Sequence, residues 1–412
     1  MCSATSSVSC TVTDVTVVGG GVAGMVVARR LAMAGRSVTL IEASDHLGGT
    51  VSRHTVGDID LDAGAESFAN RGGTVAALAA EIGLGDEVVS PSAAGAWLQP
   101  VSGPAVPMPA TNLLGIPGTP LAADVIAVIG QRAAIRAELD AIIPSLWASK
   151  SLTLGTLVRR RMGSGVLEKL VAPIVHGVHS LHPDDIQLDR AAPGLRAAFA
   201  REGSLAAAVR FMRDAAPAGS SIAGIRGGMH RLATELAADL QTYGVDVQLG
   251  RTAQPGSIGG TVVMAAPTDP TAGRRIVLAT LVVNAPELDS APRGTGLLVA
   301  AGAAGISARA LTHSTAKWEW LRERAGGRHV LRLSYDVEPE QLQATALQDA
   351  STLLGVRLGD SSVVDFARVE WLRPAASSAG DKIIQVGESV AGSGLAGVIR
   401  QAEAAAAELL AG

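Results

Sequence analysis

The residues best placed to do chemistry are glycines. Gly19, Gly21 and Gly24 take Gly-x-Gly-x-x-Gly spacing inside Val-Val-Gly-Gly-Gly-Val-Ala-Gly (17–24). In that pattern the first glycine permits a tight turn, the second lets a pyrophosphate approach the backbone, and the third lets a helix pack closely on a strand. Gly20, Val22 and Ala23 complete the turn, and the N–H groups of the helix that starts there face the phosphates with a positive dipole end. Glu42 lies 18 positions beyond Gly24, followed by Ala43. Its carboxylate is placed to accept hydrogen bonds from an adenosine ribose. The alternative is a glycine-rich turn with no ligand, which would not need the acidic residue at that distance.

These residues need a strand, a helix and a second strand to hold them. Val15–Val18 is a β-branched run before the turn, and Ser37–Ile41 is a second apolar run that ends at Glu42. Beyond this βαβ unit, Gly57–Ala65 reads as a short strand leading into a glycine turn, and Gly73–Ile82 as a helix. Residues 96–109 alternate weakly between proline and glycine breakers, as a hairpin would. Leu121–Arg213 is mostly helical. Met229–Thr242 is a further helix, and Val245–Leu249, Ile276–Asn284, Leu297–Ala300, Val330–Tyr335 and Val363–Val369 are strand-like. A strand at Lys382–Val386, a glycine-rich turn and a helix at Gly397–Leu410 close the chain. Strand, acidic turn and helix thus recur at both ends, which a dinucleotide-binding domain built from both ends explains.

Bulk composition excludes several classes. The 412 residues are 48% hydrophobic and 17% charged, enough for a large core and too apolar for disorder. The formal net charge is −4, so no basic surplus points to nucleic acid. Cys2 and Cys10 are the two cysteines. Both precede the first strand, and this usage fits a reducing, cytoplasmic setting with no disulfide framework. The first ten residues lack the charged and apolar regions of a secretory signal. Leu121–Ile143 is broken by five charged residues, so it reads as an amphipathic helix and not a transmembrane segment. Mean hydropathy is +0.30, which leaves peripheral membrane contact open beside an Ala- and Val-rich interior. No Cys/His metal spacing and no nucleophilic triad is recognisable.

Gly48-Gly49 is a second glycine pair shortly after Glu42. A nicotinamide dehydrogenase does not need one there, but a flavoprotein does. From this point the sequence resembles the protoporphyrinogen/coproporphyrinogen III oxidases of the flavin amine oxidase superfamily. The resemblance rests on Leu-Ile-Glu-Ala-Ser-Asp-His-Leu-Gly-Gly (40–49), Asp-Ala-Gly-Ala-Glu-Ser-Phe (62–68), His-Pro-Asp-Asp (182–185), Arg-Glu-Gly-Ser-Leu (201–205), Gly-Gly-Met-His-Arg-Leu (227–232) and Val-Gly-Glu-Ser-Val-Ala-Gly-Ser-Gly-Leu (386–395). The Ala-rich, Arg-over-Lys composition resembles that of high-GC bacteria, whose family members are usually coproporphyrinogen III oxidases.

The resemblance implies an α/β fold, α+β overall. A Rossmann-like FAD-binding domain would be assembled from 12–95, 216–290 and 361–412. A substrate-binding and helical insert (96–215) and a mixed-sheet substrate domain (291–360) would complete it. It places the FAD diphosphate on Gly19–Gly24 and beside Gly49 and Thr50. The flavin ring falls near Gly64, Ala65, Glu66 and Ser67, and adenine near Ala253. Gly387 and Glu388 fall at the ribityl end, and Ser393, Gly394 and Leu395 form the flavin-side turn. Trp371 stands where the family often has a Trp facing the flavin. His46 replaces a common Arg, and Thr50 a common basic residue. The implied reaction takes a hydride from a porphyrinogen methylene bridge to the flavin. Dioxygen reoxidises the flavin with release of hydrogen peroxide, three times over, and the product passes to a ferrochelatase. Porphyrinogens carry carboxylates, so Arg71, His176 and His179 are the candidate substrate cations, against ordinary solvated or packed side chains. Arg159-Arg160-Arg161 reads as a solvated helix face or an anionic-surface contact. A flavin amine oxidase, or an inactive flavin-bound porphyrin carrier, are the alternatives. With aromatics at 3%, the chain has little material for the aromatic cage of an amine oxidase.

Overall fold

The computed structural model describes residues 15–70, 72–144, 150–179, 181–214, 222–253, 258–267, 269, 271–375, 384–392 and 394–411. Arg71 and Ser393 lie outside them, as does the side chain of His179.

The β-branched run forms strand β1 (Val15–Val18), followed by helix α1 (Val22–Met33) and strand β2 (Val38–Ile41). β1 is flanked by β2 on one side and by Thr261–Met264 on the other, with Asp246–Gln248 and Ile384–Gln385 at the edges. Every pairing in this five-stranded sheet is parallel. Parallel strands are covered on both faces, and the cover comes from distant parts of the sequence. Met25, Val26 and Leu31 of α1 share one core with Leu78, Leu232, Leu236, Ile399 and Ala402. The C-terminal helix (Leu395–Ala411) therefore packs beside the N-terminal turn.

A seven-stranded sheet lies alongside, ordered 363–374, 273–283, 329–335, 310–313, 296–299, 97–99, 106–107. Its neighbours are antiparallel except for the parallel pair of 296–299 with 97–99. One face buries Val277, Ala279, Leu281, Leu331, Leu333 and Tyr335 under helix Leu342–Leu354. The other face carries Arg332, Ser334 and Trp371 toward the first sheet. The helices between 123 and 214 close around their own core, including Leu157, Leu170, Leu195 and Val209.

Several expectations need correction. Within Gly57–Ala65 the expected short strand is Ile59–Asp62, leading into the turn at Gly64, but its partner strand Arg53–Val56 was not expected. Arg53–Val56 and Ile59–Asp62 form a hairpin, because Gly57 and Asp58 both take positive φ (55° and 61°). Thr261–Met264 was not among the expected strands. It is short, and a buried run of four without alternation carries no periodic signal. Strands 273–283 and 363–374 pair with each other in the seven-stranded sheet, a partnership that the sequence did not show. Of the basic run 159–161, Arg159 and Arg160 are exposed as a solvated face would be, but Arg161 is not. Arg161 is fully buried, with Nε 2.6 Å from Asp140 and further bonds to the carbonyls of Asp140, Ile143 and Pro144. Asp140 in turn accepts from the Ala206 N–H. A buried charge persists only when paired and hydrogen-bonded, and this one ties three helical segments together. Arg159 pairs with Asp184 of the His-Pro-Asp-Asp segment through both carboxylate oxygens. Among the described residues no helix is long and apolar enough to cross a membrane.

Buried histidines make the fold acid-sensitive. His313 Nε2 and His329 Nδ1 are 3.0 Å apart, and His329 Nε2 lies 3.1 Å from Asp289. Burial, then its neighbour His329, pulls His313 down to about 4. Burial also lowers His329, against the opposing pull of Asp289. His54 falls to about 4 through burial first and the Arg332 charge second. These groups are depressed in the folded chain, so between about pH 6.5 and 4 the unfolded chain binds more protons. Stability is therefore lost as pH falls through that window, by on the order of 3 kcal/mol for His313 alone. The Tm of the protein should drop between pH 7 and 4.5, and His313→Gln should flatten the drop. An unchanged slope in the variant would exclude His313 as a cause.

Candidate functional site

The turn after β1 shows three distinct glycine roles. Gly19 has φ 111°, and a Cβ there would sit 2.8 Å from the Ala265 backbone. A Cβ on Gly24 would run into the Gly19 carbonyl. A Cβ on Gly21, by contrast, would meet no atom within 4 Å. Close packing therefore requires glycine at 19 and 24, whereas at 21 the small side is turned to open space at the start of α1. Gly21 is the N-cap of that helix and supplies no side-chain cap, so the first amides of α1, at Val22 and Ala23, suit an anionic ligand. The fold at this point fits a diphosphate. Gly48 closes the cradle, its N–H bonded to the Gly20 carbonyl at 2.9 Å. Gly49 faces Gly21, and Thr50 beside it is exposed.

Glu42 organises the rim next to the cradle. One carboxylate oxygen accepts from the Gly20 N–H at 2.6 Å, and the other from Ser44 N and Oγ at 2.8 Å each. The main chain of Glu42 bonds Gln248 and Arg251, which brings the segment ending at Ala253 alongside. Ala43 is exposed on this rim. His46 is exposed as well, with Nδ1 2.7 Å from Asp45, so a carboxylate already faces its imidazole.

The flavin-side loop, 62–67, is held at every step. Asp62 accepts from the Met229 and His230 N–H groups at 2.9 Å each, capping helix His230–Thr242. That explains the Gly-Gly-Met-His segment, in which Gly227 and Gly228 take positive φ to bring the helix start onto Asp62. Gly64 packs against the Thr50 carbonyl, where a Cβ would clash, and the Ala65 N–H bonds the same carbonyl at 3.0 Å. Trp371 Nε1 donates to the Ala63 carbonyl at 2.9 Å, and Arg332 donates to the Gly64 carbonyl. Glu66 accepts from Trp318 Nε1 at 2.7 Å and Ser314 Oγ at 3.2 Å. Lys317 Nζ and Arg332 Nη1 each lie 3.6 Å from it, and Lys317 reaches Ser67 Oγ at 3.5 Å. Burial alone would raise Glu66. The two cations and the two hydrogen bonds outweigh it and hold the carboxyl below its ordinary value.

At the C-terminal end, Gly387 (φ 107°) leads into the short helix Glu388–Ala391. Glu388 Oε1 is 3.2 Å from Arg373 Nε. Burial raises its pKa, against the charges of Arg373 and Arg190. Gly394 has φ 120°, and a Cβ there would meet nothing within 4 Å. With Leu395 it opens the final helix beside the cradle, a second glycine turn suited to a close-lying ring.

Of the candidate substrate cations, His176 is placed, with Nε2 2.8 Å from Asp336. Sequence reasoning missed Lys317, Trp318 and Arg332, which contact the flavin-side loop. One signal was legible: Arg332 interrupts an otherwise apolar strand, which marks the face turned away from the core.

Comparisons with known proteins show the family and the fold. The family of flavin containing amine oxidoreductases matches residues 22–253. A coproporphyrinogen III oxidase of Mycobacterium tuberculosis is 30% identical over 379 residues, covering 82% of each chain. One of Mycobacterium leprae is 29% identical over 370 residues, 81% of this chain and 79% of that one. The fold is shared with the crystal structure of an Exiguobacterium protein assigned as a protoporphyrinogen oxidase, with TM-score 0.77, 21% identity, and 96% and 98% coverage. It is shared also with putrescine oxidase, with TM-score 0.63, 16% identity, and 97% and 99% coverage.

Substitutions at the cradle separate binding from folding. Gly21→Val should fold and yet purify without FAD, because its side chain fills the diphosphate position and touches no protein. Gly24→Ala should lower Tm, because its Cβ meets backbone. Glu42→Ala should weaken FAD by about 1–3 kcal/mol, read as the FAD dissociation constant by fluorescence titration. A Gly21→Val protein carrying a full complement of FAD would place the cofactor elsewhere.

Proposed function

Because the chain belongs to the flavin-containing amine oxidoreductases, and within them to the FAD-dependent protoporphyrinogen/coproporphyrinogen III oxidase group, we propose that it oxidises coproporphyrinogen III to coproporphyrin III. FAD supplies the hydride acceptor, and dioxygen takes the electrons away as hydrogen peroxide. The observation that carries the choice of substrate is chain-long similarity to coproporphyrinogen III oxidases. The charge of the cleft supports it. Beside the flavin-side loop stand Arg332, from the sheet, and Lys317, from the short helix Ser314–Lys317, both anchored on Glu66. Fixed cations attract a substrate with carboxylates and repel an ammonium ion.

The roles of the residues follow from their contacts. The amides at the start of α1 would bind the diphosphate and Glu42 the ribose. Gly64–Ser67 would form the wall along the ring, kept from moving by Asp62, Glu66, Arg332 and Trp371. Glu66 keeps Lys317 and Arg332 in place beside that wall. The coproporphyrin product is a tetracarboxylate suited to a metal-inserting ferrochelatase as the next enzyme.

Hydrogen peroxide release should be seen with coproporphyrinogen III, more weakly with protoporphyrinogen IX, and not with putrescine or other amines. Porphyrin fluorescence and peroxide should rise together, with three peroxides per porphyrin from three two-electron steps. Turnover of amines alone would establish the amine oxidase reading. FAD binding without turnover of any of these would favour a carrier. Glu66→Gln should cost about 3–5 kcal/mol of stability, because it leaves two cations unpaired in a buried setting. A Tm equal to that of the parent would remove Glu66 from this role.

A further inference from the structure

A second group of cations stands on the same face of the seven-stranded sheet. Trp371 and Arg373 lie two residues apart on one strand and so project to the same side. Arg274 is directly opposite Arg373, and Ile276 opposite Trp371. On the next strand Arg332 meets the Gly64 carbonyl. Ser334, two residues on, accepts from Arg309 Nε at 3.1 Å. Arg332 lies opposite Thr280 and Trp371 opposite Ile276, so the flavin-side loop spans this face between them, and Arg373 and Arg274 stand one row beyond Trp371, about 7 Å along the strands. Asp336 sits among them, 2.6 Å from Arg274 Nη2, 3.3 Å from Arg309 Nη1 and 2.8 Å from His176 Nε2 of the helical insert. Beside them Glu388 meets Arg373, and the Arg190 guanidinium lies against Gly392.

Among the described residues, four guanidiniums therefore gather around two carboxylates at the junction of the sheet, the insert and the C-terminal turn. Arg309 is the most enclosed of those on the sheet, with its side chain 11% exposed. Burial, with Arg373 and Arg274 adding to it, draws Arg309 down to about 10 although Asp336 pulls the other way. Like charges packed this closely leave a positive potential that an added anion relieves. The guanidinium fork also suits a carboxylate, which it can meet with two parallel N–H bonds.

We propose that Arg309, flanked by Arg274 and Arg373, holds a peripheral propionate of the substrate, sharing it with or exchanging it for Asp336. The proposal rests on the porphyrinogen reading above and deepens it. Arg332 and Trp371 order the flavin-side loop, and the row beyond Trp371 would grip a carboxylate at the edge of a flat macrocycle lying against that loop. The grip would favour a substrate with four propionates over one with two.

The test uses the FAD-loaded protein and two probes, coproporphyrin III and its tetramethyl ester, titrated by porphyrin fluorescence. Arg309→Gln and Arg274→Gln should each weaken coproporphyrin III at least tenfold and change ester binding less than threefold, with FAD content unchanged. In turnover, KM for coproporphyrinogen III should rise by a larger factor than kcat falls, and Arg309→Lys should recover part of the loss. Arg274 is about a third exposed, so its variant serves if Arg309→Gln folds poorly. Equal affinity for the free acid in parent and variants overturns the subsite. So does an equal loss of acid and ester, which marks a purely structural ion-pair network. If the parent oxidises coproporphyrinogen III and the variants keep its KM, the subsite alone falls. If the parent neither binds coproporphyrin nor oxidises either porphyrinogen, both readings fall together.

Discussion

A buried carboxylate, Glu66, joins the flavin-side loop to the seven-stranded sheet. Its four partners, Ser314, Lys317, Trp318 and Arg332, come from the segment after one strand and from the middle of the next. Taking that charge out of water is costly unless it is fully paired, so the geometry of all five groups is tightly specified. The loop cannot shift without uncovering Glu66, and the sheet cannot shift without leaving Lys317 and Arg332 unmet. A stiff loop is what a ring cofactor needs as a wall, because alignment of reacting atoms depends on it.

Around that anchor the chain uses small residues where backbone must meet backbone, and acids where a helix start must be held. Gly24 and Gly64 lie against carbonyls that leave no room for a side chain. Asp62 caps the helix that begins at His230, and Glu42 pins the cradle to the rim next to it. The same devices stabilise the fold and shape the ligand surface, so cofactor binding and stability are coupled throughout this region.

Charge is also concentrated on one side of the flavin-side loop. The sheet and the segments beside it place Arg332 and Lys317 near the loop and Arg274, Arg309 and Arg373 beyond. Clustered cations with low-dielectric walls concentrate anions and exclude cations. A fold shared with putrescine oxidase therefore does not carry that enzyme's substrate preference with it, since function resides in the site and not in the fold.

The dinucleotide turn was legible in the residues alone, because Gly19, Gly21, Gly24 and Glu42 act through local backbone geometry over one βαβ unit. The strands read at Val330–Tyr335 and Val363–Val369 and the helix read at Gly397–Leu410 were legible from their composition, though not their partners, and the second strand runs on to Pro374. Sequence spacing could not show that Thr261–Met264 lies beside β1, or that 273–283 pairs with 363–374, because pairing depends on contacts between distant segments. Arg161 of the basic run was misread for the same reason: it looks solvated until the Asp140 carboxylate and four carbonyls are seen around it. His176 was singled out as a cation, but its role follows from Asp336, which lies 160 residues away. Local sequence thus determined the cofactor cradle. Which charges meet across the cleft was decided only when the sheet, the insert and the two chain ends packed together.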